Sequence, residues 1–245
     1  MTEHTSRQRI GVAAVIPAKD EAERIGATIA GLQHLDGIDL VVVVDDGSSD
    51  DTGAVAEAAG AIVVRHARNQ GKAAAMATGA RRVAEEEATS GGGPVDRPLL
   101  FVDADLADTA RNLGVLIPPV VTGQADMTIA ILPPQEGSAG GRGLVVKLSR
   151  DGIAELTGWQ ATQPLSGMRC ITRAAFEAAA PLARGWGVET GLTIDVLRAG
   201  LAVREVPCEL QHRVSGSDWR GQLHRAAQYR DVWLALRARR RRDRS

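Results

Sequence analysis

Aromatic residues are nearly missing from this chain: two Phe, one Tyr and four Trp among 245 residues, 3% in all. A core made without them is filled by Ala, Val, Leu and Gly, which suits helices packed tightly on a sheet. An excess of either charge is missing too. Lys and Arg number 29 against 30 Asp and Glu, a formal net charge of −1, so no global field argues for nucleic acid or an acidic partner. Only two cysteines occur, Cys170 and Cys208, without metal-type spacing. In a chain of this size they read as reduced thiols of a cytoplasmic protein. The opening "MTEHTSRQR" has no apolar signal-peptide core, and no apolar run approaches the ~20 residues that span a bilayer. After the first apolar run comes "IPAKDEAER". It is neither the G-x-G-x-x-G of a dinucleotide oxidoreductase nor the Gly/Arg-rich loop of a sugar-nucleotide pyrophosphorylase.

What is present is an alternation. "GVAAVIPA" (11–18), "DLVVVV" (39–44), "AIVVRH" (61–66) and "PLLFVDAD" (98–105) are short apolar runs, predicted as buried strands. Between them lie helical patterns. Ile25, Ile29 and Leu32 share one face of the first, "DDTGAVAEAAG" is a short helix ending at Gly60, and "GKAAAMATGARRVAEEEA" (71–88) is a long Ala-rich one. "DMTIAIL" (126–132) predicts a further strand and "PPQEGSAGGRG" (133–143) a loop able to close over ligands. Uncharged strands alternating with helices predict an α/β fold, a mostly parallel, Rossmann-like sheet with helices on both faces.

Ligands of such sheets bind outside the carboxyl ends of the strands. Those ends carry "PAKDE" (17–21), "DDGSS" (45–49), "HARNQGK" (66–72) and "DAD" (103–105). Each alone has a plain structural explanation as a turn or a helix cap. Four converging on one edge point to a site, with Asp45 and Asp46 for a ligand and Ser49 to Asp51 for the helix start. In an extended segment Asp103 and Asp105 point the same way and repel unless a cation lies between them. Hard divalent ions such as Mg²⁺ or Mn²⁺ suit that pair when substrate phosphates complete the coordination. Gly71 and Lys72 open a helix whose N-terminus and ammonium group favour a phosphate. Glu189 opens an all-round apolar, hence buried, helix, and two readings stay open: a Glu favoured by the dipole at the helix N-terminus, or a carboxylate facing a reacting hydroxyl.

As an ordered set, "VIPAKDEAERI", "VVVVDDGSSDDT", "NQGKAAAMATG" and "LLFVDADL" resemble the signatures of GT-A glycosyltransferases of the family 2 type. The resemblance is close over 10–132 and continues in outline to about 214. It implies one GT-A domain over 1–245, with a donor half (10–132), an acceptor half (133–214) and a basic C-terminal helix and tail (215–245). It also implies a hexosyltransferase that takes sugar from a nucleotide-sugar, UDP-linked in first place and GDP-linked in second. By that resemblance Pro17, Ala18, Glu21, Asp45, Asp46, Gly71, Lys72, Asp103 and Ala104 line the donor pocket. Asp103 and Asp105 form the D-x-D that holds Mg²⁺ or Mn²⁺ on the diphosphate, and Lys72, Asp105 and Glu189 carry the chemistry.

"QPLSGMRCITRAAFE" (163–177) and "GWGVETGLTIDVLRAG" (185–200) resemble two groups within that family, polyprenyl-phosphate sugar synthases and glucosyl-3-phosphoglycerate synthases. The first leans towards inversion, the second towards retention. Arg142, Gly167, Met168, Arg169, Trp186 and Glu189 would then face the acceptor, and His212 of "VPCELQHRVSG" would join the metal. The acceptor is expected to be a small phosphorylated molecule or a polyprenyl phosphate. Where the phosphoglycerate group carries a "GRVTE"-type segment, this chain has "GGRGLVV" (140–146); Arg142 stays but the Thr is gone, which argues against 3-phosphoglycerate itself. Trp219, Leu223, Ala226, Trp233 and Leu234 share a helical face flanked by arginines. It reads as a core-packed helix or as a peripheral membrane contact on anionic lipid at the inner face. Related enzymes often pair into homodimers, and no stretch of this sequence marks such an interface. The alternatives are an inactive nucleotide-sugar-binding protein, against which Lys72, Asp103, Asp105 and Glu189 together argue, and a sugar-nucleotide pyrophosphorylase, against which "IPAKDEAER" argues.

Overall fold

The computed structural model describes residues 11–89, 96–133, 142–210 and 219–242, with backbone only at 142, 219–225 and 242. The first strands are β1 (Val12–Ala18), β2 (Ile38–Asp45), β3 (Ile62–Arg65) and β4 (Leu99–Phe101), separated by α1 (Ala22–Gln33), α2 (Thr52–Ala58) and α3 (Lys72–Thr89). A 3₁₀ segment, Ala107–Leu116, leads into α4 (Ile117–Val121) and β5 (Met127–Ile131). Then come α5 (Arg142–Thr157), β6 (Arg169–Ile171), α6 (Arg173–Ala178), α7 (Val188–Arg198), β7 (Val203–Pro207) and α8 (Trp219–Arg242).

The seven strands form one sheet in the order β3-β2-β1-β4-β6-β5-β7. β1 pairs parallel with β2 and β4, β2 with β3, and β5 with β7. Only β6 runs against its neighbours β4 and β5. The sheet is thus mixed and mostly parallel, as expected, and strands from both halves of the chain complete it. Leaving β1, the chain steps to β2 and β3 on one side and to β4 on the other. That reversal opens a crevice at the carboxyl ends of β1 and β4.

Alternation along β1 divides the core between the two faces. Val12, Ala14 and Ile16 face α1 and the 3₁₀ segment through Ile25, Ile29, Leu32, Ala110 and Leu113. Ala13 and Val15 face α3, α6 and α7 through Met76, Val83, Phe176, Val188 and Leu192. α3 lies so close that a Cβ at Gly79 would stand 2.3 Å from Val15 Cγ1. Small residues therefore do what bulkier aromatic packing does elsewhere, and Phe101 against Phe176 is an aromatic pair that joins β4 to α6, centroids 5.2 Å apart.

Two expectations are corrected. β4 ends at Phe101, so Asp103 and Asp105 lie in the turn that follows and strand alternation does not orient them. On α8 the expected apolar face is not the packed one. Val232, Ala235, Leu236 and Arg239 are buried, whereas Trp233 and Leu234 are exposed. The helix docks on α5 and α7 through Val232 and Leu236 against Val145, Ile153 and Ile194. A buried ion pair, Arg239–Asp195, fixes it to α7. Among the described residues no helix is long and apolar enough to cross a membrane. The loop expected at 133–143 lies almost wholly outside the described residues.

Candidate active site

Parallel pairing puts the ends of β1 to β4 on one edge, and hydrogen bonds lace their turns together. The β1–α1 and β2–α2 turns brace each other. Asp20 N donates to Ser48 Oγ (3.0 Å), Ser49 N donates to Asp20 Oδ1 (2.7 Å), and Glu21 N donates to Thr52 Oγ1 (2.8 Å). Bonds from Lys19 and from Ser49 hold the Asp20 carboxyl down at about 2. The expected division, serines and later acids for the helix start, is only partly what occurs. Asp51, at the N-cap of α2, makes no side-chain cap bond. Asp50 accepts from Thr52 N (3.0 Å) and Ala22 N (3.1 Å), and the serines serve Asp20.

Asp45 and Asp46 are both buried and both engaged within the protein. Asp45 Oδ1 accepts from Ser48 N at 2.9 Å. Asp46 accepts from Gln70 N and Gly71 N, each at 2.8 Å, and from His66 Nδ1 at 2.7 Å. A carboxylate only accepts, so His66 carries a proton on Nδ1; its Nε2 lies 3.0 Å from Thr78 Oγ1. Gly71 takes φ +88°, a turn that favours glycine. Asp46 and His66 thereby shape the 66–71 turn that launches Lys72. His66 was not singled out by the sequence, because a His at a strand end carries no signal without knowledge of its partner.

Lys72 is the hub. Its Nζ lies 2.8 Å from Asp103 Oδ1 and 3.0 Å from Glu189 Oε1. Burial works against its charge, but Asp103 and Glu189 outweigh that and raise its pKa above the ordinary ammonium value. Gly167 backs the cluster. A Cβ there would fall 2.5 Å from Lys72 Nζ and 2.8 Å from Asp103 Oδ1. Glu189 is buried in the first turn of α7, where the positive helix end favours a carboxylate. The turn carrying Ala104 and Asp105 is pinned by Thr28 of α1, which the sequence reading missed. Its buried hydroxyl donates to Ala104 O and accepts from Ala107 N, both at 2.8 Å.

Arg169 and Met168, expected at the acceptor, are buried at 0% and 1% exposure. Met168 belongs to the core around Leu100 and Ala130. The Arg169 guanidinium spans Ser166 O (2.9 Å), Pro164 O (3.1 Å), Glu189 O (3.1 Å) and Thr193 Oγ1 (2.8 Å). It holds the 164–167 loop against the first turn of α7. Burial pulls its pKa down to about 10. An antiparallel β6 turns this side chain inward, and nothing local announces that strand. Trp186, three residues before Glu189 in the chain, is 41% exposed, and its backbone N–H donates to Asp231 Oδ2 of α8 (3.3 Å). Ser166 Oγ is buried with no hydrogen-bond partner among the described residues. Pro17 and Ala18 end β1, and Ala18 O accepts from Asp46 N at 2.8 Å. Glu21 precedes α1 with its carboxylate 3.6 Å from Arg24. The Arg142 side chain and His212 lie outside the described residues, among which no group of three His, Cys, Asp or Glu side chains gathers as a metal site.

The chain that carries this cluster has a counterpart among known families. Residues 13–179 match Glycosyl transferase family 2. The chain belongs to that family. No curated protein matches it. Among solved structures it is similar to glucosyl-3-phosphoglycerate synthase from Mycobacterium tuberculosis. The complex with Mn²⁺, UDP and glucosyl-3-phosphoglycerate is 30% identical, with a TM-score of 0.73 over 94% of this chain and 79% of that one. The complex with Mg²⁺ and UDP is 31% identical, with a TM-score of 0.72 over 94% and 79%. A third, with Mn²⁺, UDP-glucose and phosphoglyceric acid, is 29% identical, with a TM-score of 0.70 over 94% and 79%. This family 2 glycosyltransferase shares the α/β architecture of those enzymes, and Lys72, Asp103 and Glu189 sit on the edge where such sheets take their ligands.

Proposed function

We propose that the protein transfers a hexosyl group from a UDP-sugar to a small phosphorylated acceptor, at the edge that carries Lys72, Asp103, Asp105 and Glu189. The observation that carries this reading is the Lys72–Asp103–Glu189 cluster in a chain 29% identical to an enzyme solved with UDP-glucose and phosphoglyceric acid. A GDP-sugar is the second donor. Asp103 and Asp105 bring hard carboxylate oxygens to one turn, a donor set that fits Mg²⁺ or Mn²⁺. Substrate phosphate oxygens and His212 would complete it. Such an ion supplies charge neutralisation on the leaving diphosphate.

The remaining chemistry belongs to the chain's own groups. Lys72 would offset charge on the diphosphate as the glycosidic bond breaks, an electrostatic effect usually among the largest in catalysis. Glu189 would accept a hydrogen bond from the acceptor hydroxyl; an inverting transfer would use it as the base, a retaining one as the orienting group. Arg169 keeps Glu189 and Gly167 in register from behind. The unpartnered Ser166 hydroxyl supports a polar ligand nearby, because leaving a buried hydroxyl unsatisfied costs about 1–3 kcal/mol.

A polyprenyl-phosphate acceptor is the second reading, and α8 favours it. Tyr229, Trp233 and Leu234 are exposed, Arg237 lies 5.0 Å over the Trp233 ring, and the same helix abuts Trp186 through Asp231. That outward face is suited to anionic lipid.

The test is thermal unfolding with UDP, GDP and their common sugars, with Mn²⁺ or EDTA. A ligand at ~100 times its Kd stabilises by about 2.7 kcal/mol, a rise of about 5–11 °C for a chain of this size. A metal-dependent rise with UDP and not GDP is expected. No rise with any nucleotide in a folded sample removes the donor assignment.

A further inference from the structure

We propose that Lys72 is the cation which a divalent metal has to displace from Asp103, so that metal and nucleoside diphosphate load the site together. The inference rests on the donor-site reading above and concerns the order in which that site fills.

The geometry is that of an occupied seat. Asp103 Oδ1 already holds the Lys72 ammonium at 2.8 Å, and Glu189 Oε1 holds the same nitrogen from another side at 3.0 Å. Gly167 closes a third side, with room for a hydrogen but not for a carbon. A Mg²⁺ ion binds carboxylate oxygen at about 2.0–2.1 Å. An ion on Asp103 would therefore sit against a like charge, which disfavours both. The two acids of the turn do not stand as an empty pair; one of them is neutralised by a residue 31 positions earlier in the chain.

Glu189 alone leaves the Lys72 ammonium within reach of Asp103; an arriving anion gives it a further partner. The four-carbon stem of Lys72 is flexible and its ammonium rotates freely, while its root is fixed by the Asp46–Gly71 bond at the start of α3. Glu189 is held by its helix and by the Arg169 clamp on its carbonyl. A diphosphate offers Lys72 a stronger partner and frees the Asp103 oxygen for the metal. Linkage makes the effect mutual: the factor by which diphosphate strengthens the metal is the factor by which metal strengthens diphosphate.

The variants Lys72→Met and Lys72→Arg decide it, with Mn²⁺ binding read by electron paramagnetic resonance and by calorimetry without nucleotide, and UDP binding measured separately. Circular dichroism and thermal unfolding check that each variant is folded. Wild type and Lys72→Arg are expected to bind free Mn²⁺ weakly. Lys72→Met is expected to bind it about tenfold more tightly, within the ~5–150-fold span of such couplings, while its UDP affinity falls. Equal or weaker Mn²⁺ binding by Lys72→Met overturns the inference, as does an equal gain in Lys72→Arg. Mn²⁺ bound by no form, with or without UDP, overturns the metal reading and this one together. Mn²⁺ bound alike by all forms, with UDP still bound, overturns this one alone.

Discussion

At the scale of single residues, the site is made by contacts rather than by residue types. Asp46 looks like a ligand group in sequence, yet its oxygens are filled by His66, Gln70 and Gly71. Asp103, the same residue type on the same edge, meets a lysine instead. Gly167 matters through what it omits. A methyl group there would press on Lys72 Nζ and Asp103 Oδ1, both at the ends of side chains that can move, so the fold should survive Gly167→Ala while the cluster does not. The expected outcome is a melting temperature close to wild type with sugar transfer down about tenfold, the equivalent of ~1.4 kcal/mol of transition-state stabilisation. Unchanged turnover in a steady-state assay would show that the Lys72–Asp103 spacing is not critical.

Among elements, α7 and α8 form the unit that holds Glu189. α7 is buried from Val188 to Val196, and its outer support is the Arg239–Asp195 pair, whose side chains are 4% and 8% exposed. Breaking a buried pair by removing one partner costs about 3–5 kcal/mol. Arg239→Met should lower stability by that order in urea unfolding, and loosening of α7 should slow transfer as well. Asp195→Leu with Arg239→Met should recover most of the stability, because two apolar groups leave no unpaired charge. Recovery of stability without activity would mean that the ion pair positions α7 beyond merely packing it. Beneath Glu189, Arg169 plays a comparable part for the 164–167 loop. Its strand, β6, was not foreseen, since three residues, Arg169–Ile171, carry too short a pattern to read.

For the molecule as a whole, the question is what the outer face of α8 meets. It presents Tyr229, Trp233 and Leu234 at 44%, 38% and 47% exposure, among Arg230, Arg237 and Arg241. Basic groups near an anionic membrane contribute about 1 kcal/mol each, and the attraction falls with salt. Cosedimentation with phosphatidylglycerol vesicles, but not with phosphatidylcholine vesicles, is expected at low salt. Trp233→Ser with Leu234→Ser should reduce it several-fold without lowering stability. Retention of wild-type binding by that double variant would leave the arginines alone responsible, and no binding by wild type would remove the support that α8 gives to a lipid-phosphate acceptor.

The alternation of strands and helices to residue 132 was legible in the sequence alone, and with it the edge on which 17–21, 45–49, 66–72 and 103–105 gather. Hydrophobic period and strand ends are local properties, and parallel pairing follows from the alternation. Lys72, Asp103 and Glu189 could be named for the same reason, each standing at the end or start of a readable element. Only the tertiary structure decided that Lys72 lies between the other two, that Thr28 pins the Asp103–Asp105 turn, that Arg169 points inward, and that α8 packs by Val232 and Leu236. Those facts join residues far apart in the chain. Which of several equivalent acids pairs with a base is set by the distances between elements, and periodicity within an element does not contain them.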